Sequence, residues 1–437
     1  ADMDRDGDLD LVTAEMHQSS NPDEVSLYLN EGGGLTWDQQ IVATSGSHNL
    51  RVGDIGNDLD IDIFGANWND SAPNSAIIEM WENQSGPLSL DGWERHILET
   101  SLPWQAVFVA GGDLDGDGLP DLVTGGWWYS NPGSLGGTWT RNTIGAPLHN
   151  MAAVHDLDGD GDLDVLGTDG QVSGEDFSWA DNNGAGQFTI RDITNTAMGG
   201  DFLQGVSVDQ VIAGGEEEIV LSWHNGGSGT SMFTVPSDPT NAAWPLSTIS
   251  ATTNQEQVPT GDLDGDGDTD IHLGSDWLRQ ESNGTFSTQS GVTLTGGVAD
   301  RVVLADIDGE GDLDVVIGVE FGQRLVWGES SAAGQTWTEH LIATDVDYFS
   351  VDAADIDRDG DIDVVGGAHQ GNGEVYIYEN DGDGVFWTTH TVDAGDSTLI
   401  DHHDGTQLVD MDLDGDLDII SIGWTKKSVT IYENLAI

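Results

Sequence analysis

Apolar and polar positions along this chain fall into one cadence that returns again and again. An apolar run leads into an aspartate-rich stretch, as in "RVVLADI" and "YFSVDAADI". A second run leaves it, as in "LDVVIG" and "IDVVGGA". A third follows: "VYIYEND", "VTIYEN", "IIEMWEN". A fourth starts on Trp or Phe and then alternates: "WDQQIV", "WERHIL", "WTRNTI", "FTIRDI", "WTEHLI", "WTTHTV". We name these runs strands A, B, C and D. They are short, rich in β-branched and aromatic residues, and bounded by Gly, Asn and Asp, which is the pattern of antiparallel strands joined by turns. The strand-D aromatics Trp37, Trp93, Trp139, Trp337 and Trp387 recur in phase and are expected to be core spacers.

The aspartate stretch is itself the repeat. It reads "DMDRDGDLD" from Asp2, "DLDGDGLPD" from Asp113, "DLDGDGDLD" from Asp156 and "DLDGDGDTD" from Asp262. It returns as "DIDGEGDLD" from Asp306, "DIDRDGDID" from Asp355 and "DMDLDGDLD" from Asp410. A degraded copy, "DIGNDLDID", starts at Asp54, and near Asp209 the motif is replaced by "DQVIAGGEEEIV". Eight steps separate Asp2 from Asp410, so the mean period is (410 − 2)/8 = 51 residues. A period of this size indicates a propeller or solenoid. Four short antiparallel strands per period make a propeller blade. The expected fold is therefore an all-β propeller of four-stranded antiparallel blades, with residues 1–437 as one domain of about nine repeats. Eight blades are expected and nine also fit the period; seven would need about 62 residues each. Strand A of the first repeat is almost absent and strand D of the last is missing. Closure should then join the incomplete ends or use flanking chain. The chain opens inside a motif, so it is expected to be part of something longer.

The loop between strands A and B has the chemistry of a hard-cation site. Calcium takes six to eight oxygens, and Asp carries them on the shortest stem. Positions 1, 3, 5 and 9 can aim carboxylates at one point, position 7 its backbone carbonyl, and glycine at position 6 permits the sharp turn. The carboxylates of the first copy are Asp2, Asp4, Asp6 and Asp10, with the carbonyl of Asp8. The second has Asp113, Asp115, Asp117 and Asp121 with Leu119; the third has Asp156, Asp158, Asp160 and Asp164 with Asp162. The fourth has Asp262, Asp264, Asp266 and Asp270 with Asp268; the fifth has Asp306, Asp308, Glu310 and Asp314 with Asp312. The sixth has Asp355, Asp357, Asp359 and Asp363 with Asp361; the seventh has Asp410, Asp412, Asp414 and Asp418 with Asp416. Seven calcium sites are expected. The Asp54 copy should be weak or empty, because Gly56 and Leu59 break it, and the repeat near Asp209 should bind nothing.

Composition sharpens this picture. Asp and Glu number 79 against 11 Lys and Arg, a formal charge of −68. Such a surface repels nucleic acid and anionic membranes and attracts cations. Seven divalent ions would leave it near −54, and the only lysines are Lys426 and Lys427, which suits a marine or saline setting. There is no cysteine, hence no disulfide. No apolar run is long enough to span a bilayer as a helix.

The D-x-D-x-D-G-x-x-D copies, each followed by a β-branched strand, resemble the FG-GAP or VCBS repeats of extracellular calcium-binding β-propellers, a repeat type also found in integrin α subunits. The resemblance covers Asp2 to Asn434. It implies a propeller, calcium, and an extracellular or cell-surface place. It leaves the activity open, since such propellers serve as adhesion modules, sugar-binding modules and polysaccharide lyases.

Antiparallel strands put the A–B loops on one face and the B–C and D–A loops on the other. At the expected ends of B strands stand His17, Trp68, Trp127, Trp128, Trp223, His224, Trp277, His369 and Trp424. Before A strands stand His48, Trp104, His149, Tyr348, His402 and His403. Trp68, Trp127, Trp128, Trp223, Trp277 and Trp424, with His17 and His48, are the expected ligand-binding set, since aromatic faces stack on sugar rings. A carbohydrate or cell-surface glycan is the expected partner, with flanking modules of the same protein beside it. The second reading is a lyase on a uronic-acid glycan, with His149, His369, His402 or His403 as base and Arg51 or a metal on the carboxylate. A third is a structural adhesin or filament component.

Overall fold

The computed structural model describes residues 1, 3, 9–15, 24–30, 34, 36–44, 47–53, 61–66, 78–81, 83, 88–170, 176–193, 203–224, 229–240, 243–251, 257–282, 284–331, 333–344, 346–369, 373–400 and 403–436. The described residues are all-β, with no helix among them. They divide into two compact units: Ala1–Ser89 with Asp357–Gly360, and Leu90–Ile356 with Asp361–Ile437.

The first unit holds two three-stranded antiparallel sheets. One is β1 (Leu11–Ala14), β2 (Val25–Asn30) and β3 (Trp37–Ala43); the other is β4 (Asn49–Gly53), β5 (Asp62–Ala66) and β6 (Ile78–Trp81). Met3, Val25 and Ile63 are buried between them, with Val12, Leu27, Leu50 and Trp81 packed around. In the first sheet β1, β2 and β3 are strands B, C and D, and strand A has no counterpart among the described residues.

The second unit opens with β7 (Trp93–Glu99), then β8 (Val109–Gly112), β9 (Asp121–Thr124), β10 (Trp127–Ser130) and β11 (Thr140–Thr143). Next come β12 (Asn150–His155), β13 (Asp164–Thr168), β14 (Phe177–Asn182) and β15 (Phe188–Asp192). They are followed by β16 (Leu203–Asp209), β17 (Glu218–Trp223), β18 (Thr230–Thr234) and β19 (Leu246–Ser250). The fourth group is β20 (Thr260–Gly261), β21 (Asp270–Leu273), β22 (Asp276–Gln280) and β23 (Phe286–Ser290). The fifth is β24 (Val298–Ala305), β25 (Asp314–Glu320), β26 (Arg324–Ser331) and β27 (Thr336–Thr344). The sixth is β28 (Tyr348–Ala354), β29 (Asp363–Ala368), β30 (Val375–Asn380) and β31 (Trp387–Asp393), and the last is β32 (His403–Val409), β33 (Asp418–Gly423) and β34 (Ser428–Asn434). Each group of four is one antiparallel sheet in chain order, and β7 completes the last one beside β34.

The strands differ in burial for a simple reason. Strand B lies inside its sheet and between neighbouring sheets, so β13, β17, β29 and β33 are buried at every position, and after the opening acid they are mostly apolar or small. Strand D is the outer edge, so β11, β15 and β31 alternate between half-buried and exposed. The core is the set of seams between consecutive sheets. Trp179 and Phe177 of β14 pack with Trp223 and Phe233 of the next sheet, and Trp327 of β26 packs with Tyr378 of its neighbour.

Closure departs from the expectation. The seventh sheet takes its fourth strand from β7, paired Trp93↔Asn434, Arg95↔Tyr432 and Glu99↔Val429. So β7, the strand D of the Asp54 repeat, leaves β4–β6 three-stranded and seals the last sheet instead. The seam between last and first sheets is as apolar as the rest: Ile420, Ile422, Val429 and Ile431 bury against Leu122, Trp127 and Tyr129. Against an expectation of eight or nine four-stranded blades, the described residues form seven four-stranded and two three-stranded sheets. The 51-residue period is kept, at about 50 residues per sheet over residues 90–437, because residues 1–89 form their own unit.

Candidate functional site

Each A–B loop is wired by its own carboxylates. In the Asp113 copy, Asp113 Oδ1 accepts the Gly116 N–H at 2.8 Å and Oδ2 the Gly118 N–H at 2.9 Å. Asp156 and Asp410 do the same for Gly159 and Gly161, and for Leu413 and Gly415. The fifth-position Asp folds back on the seventh residue: Asp117 accepts from Leu119 N, Asp160 from Asp162 N, Asp266 from Asp268 N and Asp414 from Asp416 N. Two positions are left-handed, the fourth and the sixth. In the described intact copies the sixth is glycine, with φ from 89° at Gly118 and Gly267 to 101° at Gly360 and Gly415, a region that disfavours other residues. The fourth sits nearer the ordinary left-handed well, so Arg358 (φ 63°) and Leu413 (φ 60°) are tolerated there.

The ninth aspartate is the hub. It begins strand B with almost no exposed surface at Asp121, Asp164, Asp270, Asp314, Asp363 and Asp418. Its Oδ2 accepts the N–H of the second loop residue: Leu114, Leu157, Leu263, Ile307, Ile356 and Met411, all at 2.9–3.1 Å. Its Oδ1 accepts the N–H at the end of strand C: Asn131, Asn182, Gln280, Ser330, Asn380 and Asn434, at 2.8–2.9 Å. Burial outweighs these two donors, lifting Asp121 and Asp270 to about 6, Asp164 and Asp314 to about 7, and Asp418 to about 8. The hub also holds in the first unit, where Asp10 accepts from Met3 N and Asn30 N, and Asp62 from Asn83 N.

The amide that ends strand C was not singled out from the sequence, although it stands in every "YSN", "ADN" and "YEN". It latches neighbouring sheets. Asn182 Nδ2 donates to Leu163 O and to Leu114 O of the preceding loop, both at 2.9 Å. Asn380 does so to Ile362 O and Ile307 O, and Gln280 to Thr269 O and Val211 O. Asn131 donates to Pro120 O and, at 2.7 Å, to Met411 O, so the same latch joins the first sheet of the second unit to the last.

Three carboxylates then converge. The first, third and ninth residues offer oxygens within 4.8 Å of one another in the Asp113, Asp156, Asp262 and Asp306 copies. Asp115 Oδ1, Asp306 Oδ1 and Asp412 Oδ1 are buried with no hydrogen-bond donor. Burial, then the neighbouring Asp414, pushes the Asp412 carboxyl up to about 6. Buried carboxylate oxygens without donors, set among like charges, are what a hard cation would satisfy, and the oxygen-only donor set fits calcium. Asp2, Asp4, Asp6 and Asp8, and the Asp54 loop, lie outside the described residues. In the sixth copy, Asp357 Oδ1 accepts from Asp359 N at 3.0 Å. The loop after β16 has Gln210, Ile212 and Gly214 where the others carry the first three acids, yet Glu218 takes the hub role, accepting from Ile212 N at 2.9 Å.

One intact copy has a basic residue against its acids. Arg279 of β22 places Nε 2.6 Å from Asp264 Oδ2 and Nη2 2.9 Å from Asp266 Oδ2.

On the opposite face the aromatic expectation is corrected. Trp127, Trp128, Trp223 and Trp277 are at most 5% exposed, so their rings face neighbouring sheets and have no face to offer a sugar. Trp127, Trp128 and Trp277 also open strand C rather than end strand B. Trp424 is half-buried and His48 exposed, while Trp68 and His17 lie outside the described residues. Of the strand-D tryptophans, Trp93, Trp139, Trp337 and Trp387 are partly buried and pack against the core, as expected, and Trp37 departs from that. Each indole N–H donates to a carbonyl three or four residues back, and Trp37 is 42% exposed.

The candidate bases separate. His403 is buried at the start of β32, its Nε2 donating to Gly373 O at 3.0 Å and its Nδ1 2.8 Å from Ser421 Oγ. His149 is half-buried, with Nδ1 2.7 Å from Asp169 O and its ring edge-on to Trp104. His369 is half-buried after β29, Arg51 is exposed on β4, and His402 lies outside the described residues. His340 and His390 of strand D pair with Glu329 and Glu379 of strand C at 2.7 Å. What this face does hold, in the second unit, is a cleft of about 480 Å³ lined by the loop residues His224 and Thr293 and the strand residues Asp276, Asp300 and Glu320, among others.

The family described as FG-GAP-like repeat matches residues 2–65, 113–167 and 262–317. No curated protein matches the chain in sequence. Among solved structures, YCF48 from Cyanidioschyzon merolae is similar at a TM-score of 0.46 and 12% identity, over 78% of this chain and 98% of that one. A putative 6-phosphogluconolactonase from Bacteroides fragilis is similar at a TM-score of 0.41 and 10% identity, over 87% and 93%. Residues 2–65, 113–167 and 262–317 are thus similar to FG-GAP-like repeats, and those of the second unit are built as the four-stranded antiparallel sheets of a propeller-like fold.

Proposed function

We propose that this chain is a calcium-stabilised propeller module that works outside the cell and binds a carbohydrate on the face opposite its aspartate loops. The observation that carries the calcium reading is the repeated meeting of three carboxylates on a loop whose buried ninth residue already fixes its shape. Calcium, when bound, neutralises the loop and ties strand A to strand B through its oxygen ligands. The residues that would hold it are the first, third, fifth and ninth acids, with the seventh carbonyl. The ninth acid also fixes loop and strand C with its two oxygens, and the strand-C amide passes that constraint to the next sheet. An extracellular place follows from the calcium supply such loops need and from the acidic, lysine-poor surface.

The carbohydrate reading rests on the cleft. Its volume lies within the range of roughly 300–1,000 Å³ of ligand pockets. Its acids and hydroxyls suit sugar hydroxyls, and Asp276, Asp300 and Glu320 would repel a uronate, which favours a neutral glycan. A lyase would need a ring nitrogen open to substrate, and both nitrogens of His403 are engaged inside its sheet. Affinity gels with neutral and acidic polysaccharides test this, with ultraviolet absorbance followed for unsaturated uronic ends. The expected result is retardation by a neutral glycan, lost in Asp276→Ala, and no absorbance. Retardation that survives Asp276→Ala would move the site, retardation by none would leave a structural role, and absorbance would make the chain an enzyme.

A further inference from the structure

We propose that the Asp262 loop is a metal-independent member of the series, with the Arg279 guanidinium as its resident cation. This rests on the reading that the other loops take calcium. The position that Arg279 occupies is the residue before the strand-C amide. In the other sheets of the second unit that carry the acidic loop, that position is Ser130, Asp181, Glu329, Glu379 or Glu433, a hydroxyl or a carboxylate. Ser130 Oγ donates to Asp115 Oδ2, and Glu329 adds negative charge that helps raise Asp308. Those loops therefore gain no positive partner from strand C. Arg279 reverses the sign at the same place.

The contacts it makes are to two of the acids that would hold a metal, one of them in the converging set. Nε lies 2.6 Å from Asp264 and Nη2 2.9 Å from Asp266, the third and fifth positions of the motif. Nη2 donates to Asp266 Oδ2, whereas Nε meets Asp264 as an ion pair without a hydrogen bond, and both attractions must be broken before either oxygen can turn to an ion. It also lowers the count of uncompensated acids from four to three, and calcium affinity follows the charge of the ligand set. Arg279 is 41% exposed, so the guanidinium can swing away without disturbing the core. Its removal should therefore open the site rather than unfold the sheet. The hub bonds of Asp270 to Leu263 N and Gln280 N need no ion, so loop and strands stay joined.

The test is lanthanide-soaked crystals read by anomalous diffraction, paired with calcium counted by equilibrium dialysis. Wild-type protein should show density at the Asp113, Asp156, Asp306 and Asp410 loops and none at the Asp262 loop. Arg279→Gln should add a peak there and one calcium per chain, and Arg279→Lys, which keeps the charge, should stay at the wild-type count. A wild-type peak at the Asp262 loop equal to the others overturns the proposal. So does an Arg279→Gln count unchanged while the other loops fill. Empty loops throughout, in both proteins, would defeat the calcium reading itself and be seen as such.

Discussion

Removing calcium at different pH values probes the hub aspartates directly. Asp418 has no exposed surface, and burial lifts its carboxyl to about 8 from an ordinary 3.8. Between those values the folded, metal-free chain holds a proton that the unfolded chain has released. Stability is then fully present below about 4 and is lost as pH rises towards 8, by ~1.4 kcal/mol per pH unit for each such carboxyl. From pH 4.5 to 7.5 that is on the order of 4 kcal/mol for Asp418 alone. At ~2.1 cal/mol/K per residue of unfolding entropy, it lowers the melting temperature of the second unit by roughly 5 °C. Asp164 and Asp314, lifted to about 7, act in the same direction and take the drop to roughly 10–15 °C. Calcium bound as proposed would hold these carboxylates ionised, so the loaded protein should be nearly flat over the same range. Calorimetry in excess chelator and in excess calcium, at half-unit pH steps, reads the gap directly. The net charge of −68 also disfavours the folded chain as pH rises. Runs in 1 M sodium chloride, where the screening length is about 3 Å, remove that contribution but not the buried one. A chelated melting temperature that stays level or rises between pH 4.5 and 7.5 in high salt would refute the reasoning.

Two further outcomes follow from the wiring. Asn380→Ala removes donors to Ile307 O and Ile362 O and an acceptor for Gly382 N and Gly384 N, so urea denaturation should show a loss of ~2–4 kcal/mol. A loss under ~0.5 kcal/mol would mean the latch is not under load. A chain begun at Leu90 keeps β7 and should melt in one cooperative step, whereas one begun at Thr100 leaves β34 as an open edge and should melt earlier and associate, seen by calorimetry and light scattering.

What could be read from the sequence was whatever repeats inside one blade. Loop, strand order and the alternation of strand D depend on residues a few places apart, so the 51-residue cadence carried them. What depended on a partner in another repeat stayed hidden. "WERHIL" looks like every other strand D, and nothing local says that it pairs with a strand more than 330 residues away. Asn131 looks like a turn residue until Met411 O appears 280 positions along the chain. The buried tryptophans failed for the same reason. An aromatic at a strand end reads alike whether its ring meets solvent or the next sheet, and Trp223 meets Phe177 of the preceding sheet at 6.2 Å.

The least legible point was that the nine-residue motif serves two purposes at once. Position 9 was read from spacing as a metal ligand equal to positions 1, 3 and 5. The repeat after β16 separates the roles. It lacks acids at the first three positions, yet Glu218 is still buried there and still accepts the loop N–H. Its carboxyl is raised, first by burial, as the hub aspartates are. A buried acid at the start of strand B is thus needed to pair backbone donors that would otherwise be stranded, with or without an ion. Only the acids at positions 1 and 3, whose oxygens lack donors in several copies, call for a cation. The Asp262 copy completes the argument, since there an arginine reaches one of those acids and the fifth-position acid beside it while the hub stays unchanged. The ninth aspartate therefore reports the fold, and the environment of the third reports the metal.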